Sequence, residues 1–305
     1  MSIFNSENAK VLLPREISEP MVKATRTTSL VAQLSQRQPM RFGETDIIVF
    51  NDFPKAEFVD EGGEKSPTTA GYTSVTAKPR KAQVTMRFNE EVIWADEDFQ
   101  LEVLSQVAEA GQVALSRALD LGVFHRINPL NGEEITSWDN YILSTSKTVE
   151  QNTADADEDF RAAVGLLVNA SPSWGVNGAA IDPKFAWDLS SLKVKDGTGA
   201  TSMQRYPQLG FGTDVTSFLG LPVAMGDTVS GTPEATDTKA RAIVGDFKNG
   251  IRWGVQRELP VELIRFGDPD GQGDLKRQNQ VALRLEIVYG WYAFADRFAV
   301  VKAGA

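Results

Sequence analysis

Phe53–Val92 reads FPKAEFVDEGGEKSPTTAGYTSVTAKPRKAQVTMRFNEEV. Its second half alternates strictly, with Ala82, Val84, Met86 and Phe88 on one side and Gln83, Thr85, Arg87 and Asn89 on the other. An apolar period of two marks a half-buried strand. The first half is polar and reaches a turn at Gly62 and Gly63. Pro67, Gly71 and Pro79 follow, with few apolar residues to make a core. So polar a hairpin is not stable in isolation. It is either a floppy insertion or an extension built to lie on a neighbouring subunit, and we take it as the second.

Upstream, LLPREISEPMVKATRTTSLVAQLSQRQPM carries scattered apolar residues (Met21, Ala24, Leu30, Val31, Leu34) interrupted by Pro14, Pro20 and Pro39. Short helices fit there but a dense core does not, so this reads as an arm that packs on something else. Asp46–Phe50 (DIIVF) is a strand leading into the hairpin. Downstream, Asp96 caps a long helix with an apolar stripe at Phe99, Val103, Leu104, Val107, Ala110, Gly111, Ala114, Leu115, Ala118 and Leu119. Asp96, Glu97 and Asp98 suit its N-terminus, and Gly122 follows as the stop. A second helix starts in the acidic run Asp155–Asp159, Gly178–Asp182 is a short strand, and Pro183 opens a third helix. Ala242–Asp246, Ile251–Val255, QVALRLEIVYGW and FAVVK are strands. The elements lack a repeating βαβ beat, which makes the fold mixed α+β.

Composition limits the function. The 305 residues are 42% hydrophobic and 24% charged, an ordinary globular balance. There is no cysteine, hence no disulfide, thiolate metal site or thiol nucleophile. No apolar run is long enough to span a bilayer, and the N-terminus lacks a signal-peptide pattern. The net charge of −10 disfavours tight wrapping of nucleic acid. Lys78, Arg80 and Lys81 form a small basic group that reads as a solvated strand edge.

Catalytic and metal signatures do not assemble. His125 is the only histidine, and at a helix end it reads as a packing or capping residue. No G-x-S-x-G elbow accompanies it, and one histidine without cysteine gives no zinc spacing. Asp268, Asp270 and Asp274 in DPDGQGD read as a surface turn, since the glycine and glutamate offsets of a calcium loop are missing. KDGTGATS lacks the G-K-[ST] ending of a phosphate loop. The expectation is a non-enzyme without cofactor or metal.

The order of these segments resembles the major capsid proteins of tailed bacteriophages with the Hong Kong 97-type fold. It is carried by the arm, FPKAEFVDEGGEKS, the alternating strand, the long helix and GAAIDPKFAWDLSSLK. LGLPVAMGDTV, AIVGDFKNGIRWGVQRELPVEL and RQNQVALRLEIVYGWYAFADRFAVVK complete the series. The resemblance implies an N-arm at 1–50 and an extended E-loop at 51–92. It further implies a peripheral domain with a spine helix at 93–182 and an axial domain at 183–275. Residues 276–305 become the long peripheral strand and a return strand to the axial domain. Glu61, Gly62, Gly63 and Lys65 at the loop tip become inter-subunit contacts.

The implied function is a shell of pentamers and hexamers enclosing double-stranded DNA without tight or specific binding, assembled in the host cytoplasm and located in the virion. The implied partners are further copies of the chain, a portal, and either a separate scaffolding or decoration protein or none. The expectation is that the scaffolding region some members carry ahead of the arm is missing. Some members of the family crosslink an E-loop lysine to a neighbour's asparagine. Lys65 matches the donor, but no asparagine follows Asn279, so non-covalent locking is the expectation. Two alternatives are an encapsulin-type bacterial nanocompartment shell, separable by its contents, and a soluble enzyme, separable by its small size in solution.

Overall fold

The computed structural model describes residues 28–50, 56–67, 72–91, 97–196, 199–258 and 261–304. The arm before Thr28, the Asp96 cap, part of KDGTGATS, and the side chains of Phe99, Val103 and Leu104 in the helix stripe lie outside the described residues.

The alternating segment is one 18-residue strand, β2 (Tyr72–Asn89), and it has two partners. Its first third pairs antiparallel with β1 (Thr45–Phe50), from Thr45↔Ala77 to Phe50↔Tyr72. The remainder pairs antiparallel with β12 (Gln280–Ala293), from Lys78↔Trp291 to Asn89↔Gln280. The hairpin's first arm is thus β1, and residues 56–67 form an exposed loop between the two strands rather than an arm. Pro79, which has no N–H to give, falls just past the last β1 pair. Ala82, Val84, Met86 and Phe88 pack on the core, as the alternation requires. β10 (Ile251–Glu258) and β11 (Glu262–Ile264) also pair with β12, completing a five-stranded sheet.

Across the core side of this sheet lies α2 (Glu97–His125), 29 residues long. Leu115, Leu119, Val123 and Phe124 are buried against Leu283, Leu285, Tyr289 and Trp291. Two expectations fail here. Ala110 is exposed while Ala108 is buried, so the stripe turns away from it. Gly122 does not stop the helix. It lies under Trp291, whose Cη2 would be 2.9 Å from an added Cβ, so the glycine serves close approach. The stop comes at Arg126, which takes the left-handed conformation (φ 58) usually given to glycine. Its N–H reaches Gly122 O and that of Ile127 reaches Leu121 O, closing the end of the helix. Arg126 is held there by Glu134 at 3.0 Å and by the Tyr141 ring.

The second sheet has the order β3-β13-β9-β4-β8-β7. Its strands are β3 (Thr148–Gln151), β4 (Gly178–Ile181), β7 (Ser217–Phe218), β8 (Leu221–Met225), β9 (Ala240–Gly245) and β13 (Phe298–Ala303). It is buried on both faces, which accounts for the unbroken apolar runs. Ala180, Ile243 and Val300 face the α2 core. Ala179, Ile181, Val244 and Val301 face a second core under α3 (Ala156–Val168) and α4 (Pro183–Ser191). β5 (Lys193–Asp196) and β6 (Gly199–Gln204) form a separate hairpin. Sheet membership cuts across the sequence order. β10 and β11 fall within 183–275 yet join β2 and β12, while β3, α3 and β4 fall within 93–182 yet join the second sheet.

The arm's described portion docks on its own chain. α1 (Leu30–Leu34) buries Leu30 and Val31 in the main core, where sequence suggested packing elsewhere. The chain then crosses the outer face of the five-stranded sheet as a strap. Gln38 N–H donates to Trp253 O at 2.9 Å, and the Gln256 amide group exchanges hydrogen bonds with Gly43, donating to its O at 2.9 Å and accepting from its N–H at 3.2 Å. Gly254 and Gly290 are paired directly beneath; a Cβ at Gly254 would collide with the strap at Gln38 O, and one at Gly290 would collide with the Gln256 amide that holds the strap and crowd Met40 Sδ at 3.1 Å. Two glycines side by side make the crossing possible.

Candidate assembly surface

The loop that lacks a core is nevertheless organised. Ser66 donates both its N–H and its hydroxyl to the Glu57 carboxylate, at 3.0 and 3.1 Å, closing the base of the tip. Gly63 N–H donates to Asp60 O at 2.9 Å. Gly62 has φ 81, as the third residue of such a turn requires. The structure brings Glu61, Gly62, Gly63 and Lys65 together, all exposed. It also presents two residues the sequence reading passed over, Phe58 and Val59. Phe58 is fully exposed, with a relative accessibility of 105%. Asp60, Glu61, Glu64 and Lys65 make no ion pair among the described residues. A lone phenylalanine in a polar stretch was the available signal.

The root of the arm is fixed by a polar seam along α2. Asp120 is fully buried. Its carboxylate accepts from Ser29 Oγ at 2.5 Å, Leu30 N–H at 2.9 Å, Val31 N–H at 3.1 Å and Thr228 Oγ1 at 3.0 Å. It thus satisfies the first amides of α1, which five residues cannot satisfy alone. Burial pushes the Asp120 carboxyl up to about 6, although those four donors pull it down. One turn earlier, Arg117 holds Asp227 at 2.7 Å, Thr232 O at 2.9 Å and the Glu234 carboxylate. Glu234 lies below its ordinary range because, against its burial, the guanidinium favours the anion. His125 is buried, with Nε2 2.9 Å from Thr228 O, and burial lowers its pKa to about 4. It is therefore a neutral donor at neutral pH, the packing role expected. These residues join α1, α2 and the 227–234 segment. Arg117, Asp227 and Thr228 also line a cavity of about 340 Å³ beside the seam, together with Leu30, Gln33 and Val113.

The other singled-out residues resolve into structure. Arg87 grips the DPDGQGD turn, donating from Nε to both Asp270 oxygens at 2.8 Å and from Nη2 to Asp268 at 2.9 Å and Gly273 O at 2.8 Å. Asp274 accepts from Arg277 N–H at 2.9 Å. Among the described residues no group of three or more His, Asp or Glu could hold a metal. Lys81 is exposed and pairs with Glu286 at 2.8 Å. Arg80 departs from the solvated-edge reading: it is half-buried, 4.1 Å over the Trp138 ring and 5.7 Å from Trp291, with its pKa lowered by burial. Among the described residues no helix is long and apolar enough to cross a membrane.

A model of the phage capsid family matches residues 9–295. The chain belongs to that family, whose members are structural proteins of phage heads. Among solved structures, a chain of Mycobacterium phage Ogopogo is 43% identical, with 91% of this chain and 92% of that one covered and a TM-score of 0.77. A chain of Gordonia phage Cozz is 28% identical over 100% and 96% of the two chains, with a TM-score of 0.79. The capsid of a native GTA particle shares the fold at 15% identity and a TM-score of 0.56, covering 91% of both chains. No curated protein matches. The protein is thus the major capsid protein of a phage-like head.

Proposed function

We propose that this capsid protein builds a closed icosahedral shell of pentamers and hexamers around the double-stranded DNA of a tailed phage, with the Hong Kong 97-type division of labour. The β1–β2 ribbon and its tip are the E-loop, α2 is the spine helix, the five-stranded sheet is the peripheral domain and the second sheet is the axial domain. The observation that carries this is Phe58. A tip closed by Glu57 and Ser66 holds a fully exposed aromatic away from any core of its own chain. Such a surface gains free energy only when a partner covers it. The family's shell supplies that partner as another copy. A portal, a scaffolding or decoration protein and assembly in the host cytoplasm follow from the same reading.

The test is assembly of purified protein, followed by sedimentation and negative-stain microscopy, beside a chain whose residues 57–66 are replaced by two glycines. Native protein should give capsomers or shells. The shortened chain should stay folded and monomeric. Native protein that remains a compact 33.4 kDa species under all salt and crowding conditions refutes the reading. Shells filled with protein cargo in place of DNA would instead mark a nanocompartment.

A further inference from the structure

The cavity beside the root of the arm has walls that a shell contact does not explain. Its volume of about 340 Å³ falls in the range of small-molecule sites, roughly 300–1,000 Å³. Three side chains make it apolar: Leu30 of α1, Val113 of α2 and Met225 at the end of β8. Gly226 lets Leu30 come close, since an added Cβ would stand 3.1 Å from both Leu30 methyls. Val113 is 42% exposed, so this apolar wall is open to solvent.

The rim is charged, and the two signs are unequal. Arg117 and Asp227 are the charged side chains of the lining. Arg117 is committed elsewhere: Nε and Nη2 hold the Glu234 carboxylate, and Nη2 also reaches Thr232 O at 2.9 Å. Its Nη1 donates to Asp227 Oδ1 at 2.7 Å. Asp227 keeps spare capacity. Its side chain is 45% exposed, and its Oδ2 accepts no hydrogen bond among the described residues. One guanidinium thus stands against two carboxylates, Asp227 and Glu234, which leaves the rim negative.

We propose that this cavity binds a small organic cation, with a compact aliphatic body between Leu30, Val113 and Met225 and a primary ammonium on Asp227 Oδ2. An open carboxylate oxygen beside apolar walls complements such a molecule, whereas an anion would be repelled by the rim. The proposal stands independently of the shell reading. The walls come from α1, α2 and the segment that follows β8, so a bound molecule spans the elements that the Asp120 seam joins. Occupancy therefore holds α1 in its docked position by mass action.

The probe is cyclohexylamine, added to unassembled subunits at constant ionic strength. For a ligand of its size a Kd of about 1 mM is expected. The readout is hydrogen exchange at the Leu30 and Val31 amides, which donate to Asp120. At about 10 mM amine their exchange through local opening of α1 should slow by about tenfold. Cyclohexanol and cyclohexanecarboxylate at the same concentration should slow it by less than about twofold. Asp227→Asn should reduce the amine to the level of the alcohol. Val113→Trp, at an exposed helix position, should fill the cavity and remove the response while helicity stays native.

Each contrary outcome is decisive. Equal effects of amine and alcohol, or an amine effect that persists in Asp227→Asn, would show that the carboxylate does not select the ligand and would overturn the proposal. An effect that persists in a folded Val113→Trp chain would place binding outside the cavity. No slowing by the amine even at about 50 mM, some fifty times the expected Kd, would mean that the cavity takes no such cation.

Discussion

Asp120 gives the sharpest quantitative test. Its carboxyl titrates at about 6 in the folded chain against 3.8 for the free side chain, because burial penalises the anion more than four hydrogen bonds favour it. A folded-state pKa above the unfolded one means that the folded chain binds the proton more tightly. The contribution of Asp120 to stability is therefore complete below pH 3.8 and is lost as pH rises through 6. At 1.36 kcal/mol per pKa unit the whole loss is about 3 kcal/mol, and the part between pH 4.5 and 7 is about 2 kcal/mol. Asp120→Asn does not titrate. The difference in unfolding free energy, native minus variant, should therefore fall by about 2 kcal/mol over that interval. His125, at about 4, titrates alike in both proteins and so cancels from the difference, and Arg117 remains paired to Glu234 and Asp227 in both. Urea titration of unassembled subunits, followed by tryptophan fluorescence, gives both curves. A difference that stays flat with pH, or grows with it, would show that the α1 amides outweigh burial and that the balance drawn here is inverted.

Three further outcomes follow. Leu119→Asp buries an unpaired carboxylate in the main core and should cost several kcal/mol, enough to abolish folding, whereas exposed Glu109→Lys should shift stability by less than about 0.5 kcal/mol; equal effects would mean the α2 register is wrong. Arg126→Val puts a β-branched residue at φ 58 and removes the Glu134 and Tyr141 contacts, so a loss of about 2 kcal/mol is expected; Arg126→Gly keeps the conformation and should lose less, and the reverse order in thermal unfolding would refute the helix-end account. Unassembled protein titrated with duplex DNA at physiological salt should show no shift at sub-micromolar concentration, given the net charge of −10; a sequence-dependent shift there would contradict a shell that merely encloses its genome.

Periodicity carried the parts of the fold whose environment is uniform along their length. Ala82 to Phe88 see one core throughout, and so do Leu115 and Leu119, so their spacing alone placed them. Residues serving two environments were misread. β2 changes partner between Ala77 and Lys78, which no alternation of side chains announces. Gly122 looks like a stop because glycine usually is one, yet its smallness is used by a tryptophan about 170 residues away in sequence. Short helices fitted the arm from its sequence, but the docking of α1 on its own core was not legible there, because the group that completes the helix, Asp120, stands on another element. At the tip, the turn glycines were readable from local chemistry. Phe58 was passed over, although a lone phenylalanine in a stretch with too few apolar residues for a core marks it; its full exposure is what the structure adds.

The dual pairing of β2 has a mechanical consequence. The strand is a cantilever, with six residue pairs in the overhang with β1 and twelve pairs built into the sheet along β12. A load applied at the tip along the strand axis must shear the whole built-in length at once, because the hydrogen bonds to β12 run across the direction of pull. Prying the tip sideways instead bends the overhang, whose outer strand is only six residues long. If the tip is the inter-subunit contact proposed above, pressure that pulls subunits apart along the shell surface would meet the stiff mode, and an incoming subunit would meet the compliant one.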